Sequence, residues 1–224
     1  MDAQADRQRR AQVTELDRKL KQLERLDRSP RWARRKPRIF GANAHRYARH
    51  VVPPDSIRAF ESTFHAVVPG DLVAIWTTIG AGVGPYYGLS GPEEIRHELA
   101  DWIFEAKQEG DSYDLLAPFP LHWPGDFDRA RVLDGPTPGC LPIAHHGDDI
   151  WSVLVINGEE AGHVWDFSKL AAMSWEWIPA ERPTGTPDAR GMTREPFAGP
   201  PSLFEWYGGW LDQAIGSLGS QRLR

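Results

Sequence analysis

The chain has a single cysteine, Cys140, in 224 residues, so no internal disulfide can form. That fits a reducing cytosol. Long apolar runs are absent too, and none approaches the roughly 18 residues that a spanning helix needs. The first ten residues, MDAQADRQRR, lack the apolar core of a secretory signal, and a cytoplasmic location is expected. The familiar catalytic signatures are missing as well. The sequence has no G-x-S-x-G elbow, no H-E-x-x-H and no cysteine pair. No catalytic residue, cofactor or metal is therefore expected.

Against these absences stand ten tryptophans and a hydrophobic content of 41%, enough for a sizeable core. Charge is unevenly spread. Residues 1–38 carry 13 Lys/Arg against 6 Asp/Glu, while the rest carries 13 against 25, a net of −12. An acidic body argues against direct nucleic-acid binding by that body and suits a basic protein partner.

The most strand-like stretch is residues 150–156, IWSVLVI. Trp151, Val153 and Val155 alternate with Ile150, Leu154 and Ile156, and only Ser152 is polar, so both faces call for cover. Residues 141–144 and 163–167 flank it, separated by turn signals at 145–149 and at Asn157-Gly158. Short connections favour an antiparallel meander. Residues 174–178 alternate as a further strand, with Trp175 and Trp177 on one side.

Helices are expected over residues 4–28, with Val13, Leu16, Leu20 and Leu23 as a stripe, and over 56–67, capped by Asp55, with Ile57, Phe60, Phe64 and Val67 inward. Asp71 caps a short third helix. Ser90 and Glu93 form a capping box for a fourth, which ends near Gln108. Ser202 and Glu205 repeat the box before a last helix, whose Gly208-Gly209 implies close packing against the sheet. The helix over 4–28 could pair with another helix, lie on the domain or stay partly free. A basic knot follows it around Trp32. Domain boundaries are read as a leader and linker over 1–50 and an α+β domain over 51–220.

Gly80, Gly82 and Gly84 follow a helix instead of linking strand to helix, so they read as a helix cap and tight loop that admits Tyr86, Tyr87 and Leu89 to the core. Glu94-x-x-His97 has di-iron spacing, but the chain holds one copy where such a site needs two. His145, His146, Asp148 and Asp149 are the nearest approach to a metal-ligating cluster, and they support an alternative reading as a metal-dependent hydrolase. Neighbours on a tight turn rarely converge on one ion, and a hydrogen-bonded turn is the simpler reading.

Three segments resemble the SUKH superfamily of bacterial immunity proteins and a yeast cell-wall-assembly regulator. They are LPIAHHG, DDIWSVLVING and GHVWD in the meander, PGDLVAIWTTIGAGVGPYYGL over 69–89, and LFEWYGGWLD over 203–212. The resemblance implies an antiparallel sheet with helices packed against it. It also implies a non-catalytic immunity protein that neutralises a toxin by occluding its basic cleft, or else an intracellular regulatory scaffold. No contact residue is carried over from the family. From charge and turn position, the candidate contacts are Asp148, Asp149, Glu159, Glu160 and Trp123.

Overall fold

The computed structural model of the chain describes residues 3–28, 39–108, 110, 113–122, 131–133, 137–170, 174–180, 182–184, 193–195 and 199–220. The basic knot around Trp32 and the candidate contact Trp123 lie outside the described residues.

The strand periodicity produces an α+β fold. Strands β1 (Arg131–Leu133), β2 (Cys140–Gly147), β3 (Ile150–Val155), β4 (Val164–Leu170) and β5 (Ser174–Pro179) form one antiparallel sheet in the order β1-β5-β4-β3-β2. The meander is β2 to β5, and β1 adds to its far edge. A separate hairpin pairs β6 (Arg182–Thr184) with β7 (Thr193–Glu195).

Both sheet faces are covered, as the apolar alternation of β3 requires. Val153, Val155, Trp165, Phe167 and Trp177 are buried on one face. Helix α5 (Pro92–Gln108) lays Trp102 edge-on against Phe167 at 5.2 Å, and Phe119 meets Trp165 and Trp177 at 5.4 and 5.7 Å. Ser152, Leu154, Val164 and Asp166 are buried on the other face. Cys140 is wholly buried at the start of β2, and burial pushes its thiol pKa far above the ordinary value. The thiolate is the reactive form. Native protein should therefore leave Cys140 unlabelled by a thiol-exchange reagent, with full labelling only after denaturation.

Helix α1 (Ala3–Asp27) is packed into the fold. Val13, Leu16, Leu20 and Leu23 are buried in the same core as the sheet residues. The helix lies against α6 (Leu203–Ser220) and α4 (Gly70–Thr78). Gly208 of α6 faces this helix, where an added Cβ would sit 3.4 Å from Leu16 Cδ2. The close approach expected against the sheet is thus made to α1. Charge follows the same path: Arg9 pairs with Asp71 at 2.7 Å, Lys19 with Asp212 at 2.6 Å, and Arg49 forks to Asp17 and Glu24 at 2.9 and 3.1 Å.

Beyond the end of α1, Asp27 accepts a hydrogen bond from the Tyr47 hydroxyl at 2.8 Å, and His45 Nδ1 accepts from the Tyr47 amide at 3.0 Å. His45 closes the four-residue helix α2 (Ala42–His45) and is buried, and its Nε2 has no hydrogen-bond partner among the described residues. Burial lowers its pKa to about 4 against the opposing pull of Asp27. Unfolded, the same imidazole titrates near 6.5. Between those values the unfolded chain takes up a proton that the folded chain refuses, so stability falls as pH drops from about 6.5 towards 4. We expect a loss of about 2 kcal/mol between pH 7 and 4.5 beyond that of His45→Gln, measured by urea denaturation.

Three helix starts differ from expectation. Helix α3 (Pro54–Phe64) opens with proline at its first position, and no side chain caps it; Asp55 sits exposed inside the first turn. A left-handed His65 ends α3, so Val67 is 81% exposed and not inward. Helix α4 likewise begins at Gly70 without a side-chain cap, and Asp71 pairs with Arg9. In α5, Pro92 occupies the first turn and shifts the box by one residue, so Glu94 accepts the Gly91 amide at 3.0 Å. The box at α6 forms as read: Ser202 Oγ accepts the Glu205 amide at 3.3 Å, and Glu205 accepts the Ser202 amide at 2.9 Å.

Candidate partner-binding surface

The loop between α4 and α5 runs along the outer edge of β2. The Tyr87 amide donates to His145 O at 3.2 Å, and the Ser90 amide donates to Ile143 O at 2.8 Å. Glycine is required within this loop. Gly88 has φ +113°, and an added Cβ would lie 2.1 Å from Gly82 O. Tyr86 sits in a tight turn, with a left-handed φ of 55° and the Gly88 amide donating to Pro85 O at 3.0 Å; the turn buries Tyr86 and leaves Tyr87 45% exposed. The expectation that both tyrosines enter the core holds for Tyr86 and Leu89 and fails for Tyr87.

Alternation along a strand divides the two histidines of β2. His146 points inward, its ring stacked on Tyr86 with centroids 3.3 Å apart, and Nε2 lies 2.7 Å from Ser152 Oγ. His145 points outward, 4.4 Å from Trp151 and 6.0 Å from Tyr87 between ring centroids. Tyr87 in turn meets Phe40 at 5.6 Å, and Phe40 is 52% exposed. Phe40, Tyr87, His145 and Trp151 thus form a continuous aromatic strip at one end of the sheet. The two imidazoles leave the strand on opposite sides and do not converge on one ion, which removes the geometry the hydrolase reading needs. Among the described residues, no group of three or more His, Cys, Asp or Glu side chains is placed to hold a metal.

Asp148 and Asp149 sit beside this strip. They are the two loop residues of the β2–β3 hairpin, both exposed, with Gly147 paired to Ile150 across the turn. Both adopt left-handed backbone conformations, with φ 50° and 59°. That is the pattern of a type I′ turn, which Asn-Gly fills with least strain. The His145 pKa is lowered by burial, against the opposing charges of Asp149 and Asp148. The ring is therefore neutral at pH 7, and the strip carries no positive charge from it.

Inside, Ser152 joins His146 to Asp166, donating to Asp166 Oδ1 at 2.5 Å; all three are buried. These are the residue types of a nucleophilic triad in another order. The serine lies between the other two and directs its proton to the carboxylate, so His146 is not placed to withdraw it. Ser152 was legible as the lone polar residue of its strand, but neither Asp166 as its cross-strand neighbour nor their pairing was read from the sequence.

The remaining candidates lie elsewhere. Glu159 and Glu160 occupy the β3–β4 connection, at the opposite end of β3 from Asp148 and Asp149 and about 20 Å away along a six-residue strand. Glu159 is exposed and lies 3.0 Å from His122 Nδ1. Glu160 is only 4% exposed, so it cannot serve as a surface contact. It lies between two imidazoles, 3.0 Å from His163 Nδ1 and 3.4 Å from His122 Nδ1. A turn glutamate usually faces water, and here the two flanking histidines account for its burial. Sequence reading missed Phe40 and Tyr87, whose exposure is set by the left-handed turn at Tyr86.

The scaffold reading needs an available face on the leader helix. The apolar stripe of α1 is covered by α6 and α4, which leaves its charged side outward. Among the described residues, no helix is long and apolar enough to cross a membrane. Comparisons with protein-family models, with curated proteins and with solved structures find no match.

Proposed function

We propose that the protein is a non-catalytic protein-binding module, acting as an immunity protein that neutralises a basic, nucleic-acid-cleaving toxin by covering its cleft. The observation that carries this is the aromatic strip of exposed Phe40 and Tyr87 and half-buried His145 and Trp151, bordered by Asp148 and Asp149. Aromatic side chains give large contact areas at low entropic cost, and they dominate affinity at protein interfaces. The flanking carboxylates and the chain's net charge of −5 would favour a basic partner at this end of the sheet. Resemblance of the meander to the SUKH superfamily supports the immunity reading and a cytoplasmic site of action.

The test is co-expression in a surrogate bacterium with the product of the neighbouring gene. Rescue of a toxic neighbour, with the two proteins co-purifying, is the expected result. Rescue should be lost with Tyr87→Ser/Trp151→Ser, provided that the variant accumulates normally. A neighbour that is harmless alone, or rescue indifferent to those substitutions, would count against this reading.

A further inference from the structure

We propose that the hairpin end of the sheet is an arginine-reading site, taking a guanidinium group presented by a basic protein partner. The proposal rests on the protein-binding reading above and specifies the chemistry that this surface recognises. Tyr87, exposed, and the half-buried His145 and Trp151 lie ring beside ring at one end of the sheet, and Tyr87 lies over Gly147, where an added Cβ would come within 3.2 Å of its ring. A planar guanidinium is weakly hydrated and stacks on such faces, whereas an ammonium is compact and strongly hydrated. Asp148 and Asp149 flank the rings with two carboxylates, which a guanidinium can engage through its fork of donors.

The turn itself points the same way. Asn-Gly would relieve both left-handed positions, yet the chain places aspartate at each. Aspartate tolerates this geometry, so the turn places two carboxylates side by side at the tip.

The experiment uses the full chain and capped peptides in which glycine alternates with arginine, lysine or citrulline, followed by NMR. The arginine peptide should shift the Trp151 indole and the amides around residues 145–151. It should bind about fivefold more tightly than the lysine peptide, the range of a cation–π contribution. The citrulline peptide, matched in shape but uncharged, should not bind. Tyr87→Ser and Trp151→Ser should erase the preference for arginine over lysine. Asp148→Asn/Asp149→Gly should weaken binding while raising the melting temperature, which separates lost recognition from lost folding. Equal affinity for arginine and lysine, shifts scattered over the acidic surface, or no binding at millimolar peptide would each overturn the proposal. The co-expression test is separate. Rescue that depends on Tyr87 and Trp151 without an arginine preference sinks only the arginine site, and an arginine preference without rescue sinks only the immunity reading.

Discussion

Replacing Leu20 with alanine should destabilise the protein by about 2–5 kcal/mol and lower its melting temperature by roughly 10 °C. Leu20 is fully buried on α1, between neighbours Leu16 and Leu23 that are also buried. A leucine truncated in a close-packed core loses its transfer energy and leaves a cavity that relaxes only in part. By contrast, breaking the exposed pair Lys19–Asp212 should cost under about 1 kcal/mol. The measurement is thermal and urea denaturation of Leu20→Ala beside Lys19→Ala. If α1 were a tether outside the core, neither substitution would register. The same packing means that deleting residues 1–38 cannot remove a recruiting segment cleanly, because it also strips four buried side chains from the core. Charge substitutions on the outward face of α1 are the better probe of any recruiting role.

Asp166→Ala should cost about 1–3 kcal/mol, because it takes from the Ser152 hydroxyl, 0% exposed, the carboxylate that accepts its proton. Ser152→Ala should cost at least as much, since it leaves a buried carboxylate without the hydroxyl that donates to it. Replacing the group together as His146→Phe/Ser152→Ala/Asp166→Val should recover about half of the Asp166→Ala loss, because a buried polar network is costly mainly when it is broken. The Phe keeps a ring where Tyr86 stacks. Denaturation midpoints of the four proteins decide the matter. A triple variant as unstable as Asp166→Ala would mean that the network contributes net stability beyond the cost of orphaning its members.

The meander was readable because its information is local. Alternation along 150–156 fixes strand, faces and the need for cover, and the short connections fix antiparallel order. The α6 cap was readable for the same reason, as Ser202 and Glu205 act on each other. What escaped is set by partners distant in sequence. The stripe on α1 announced a buried face without saying that α6 and α4 bury it. Glu160 reads as a surface residue until His122, 38 positions earlier, arrives beside it. Asp148 and Asp149 were read as exposed turn residues, which they are. The aromatic company that makes them a surface came from the glycine loop, whose outward Tyr87 had been assigned to the core.

The 87–90 segment, hydrogen-bonded along β2, has one more consequence. A sheet with a bare edge can recruit a foreign strand through its backbone, and such recruitment is blind to side-chain identity. Here the edge carbonyls of Ile143 and His145 are already taken by the chain's own amides. Recognition at this end must therefore be written in side chains on a hairpin tip and a loop. Phe40, Tyr87, Asp148 and Asp149 are all exposed and outside the close-packed interior. They can be exchanged one at a time without disturbing the sheet. On the proposed immunity reading, specificity for a changing toxin and constancy of the scaffold would fall to different atoms.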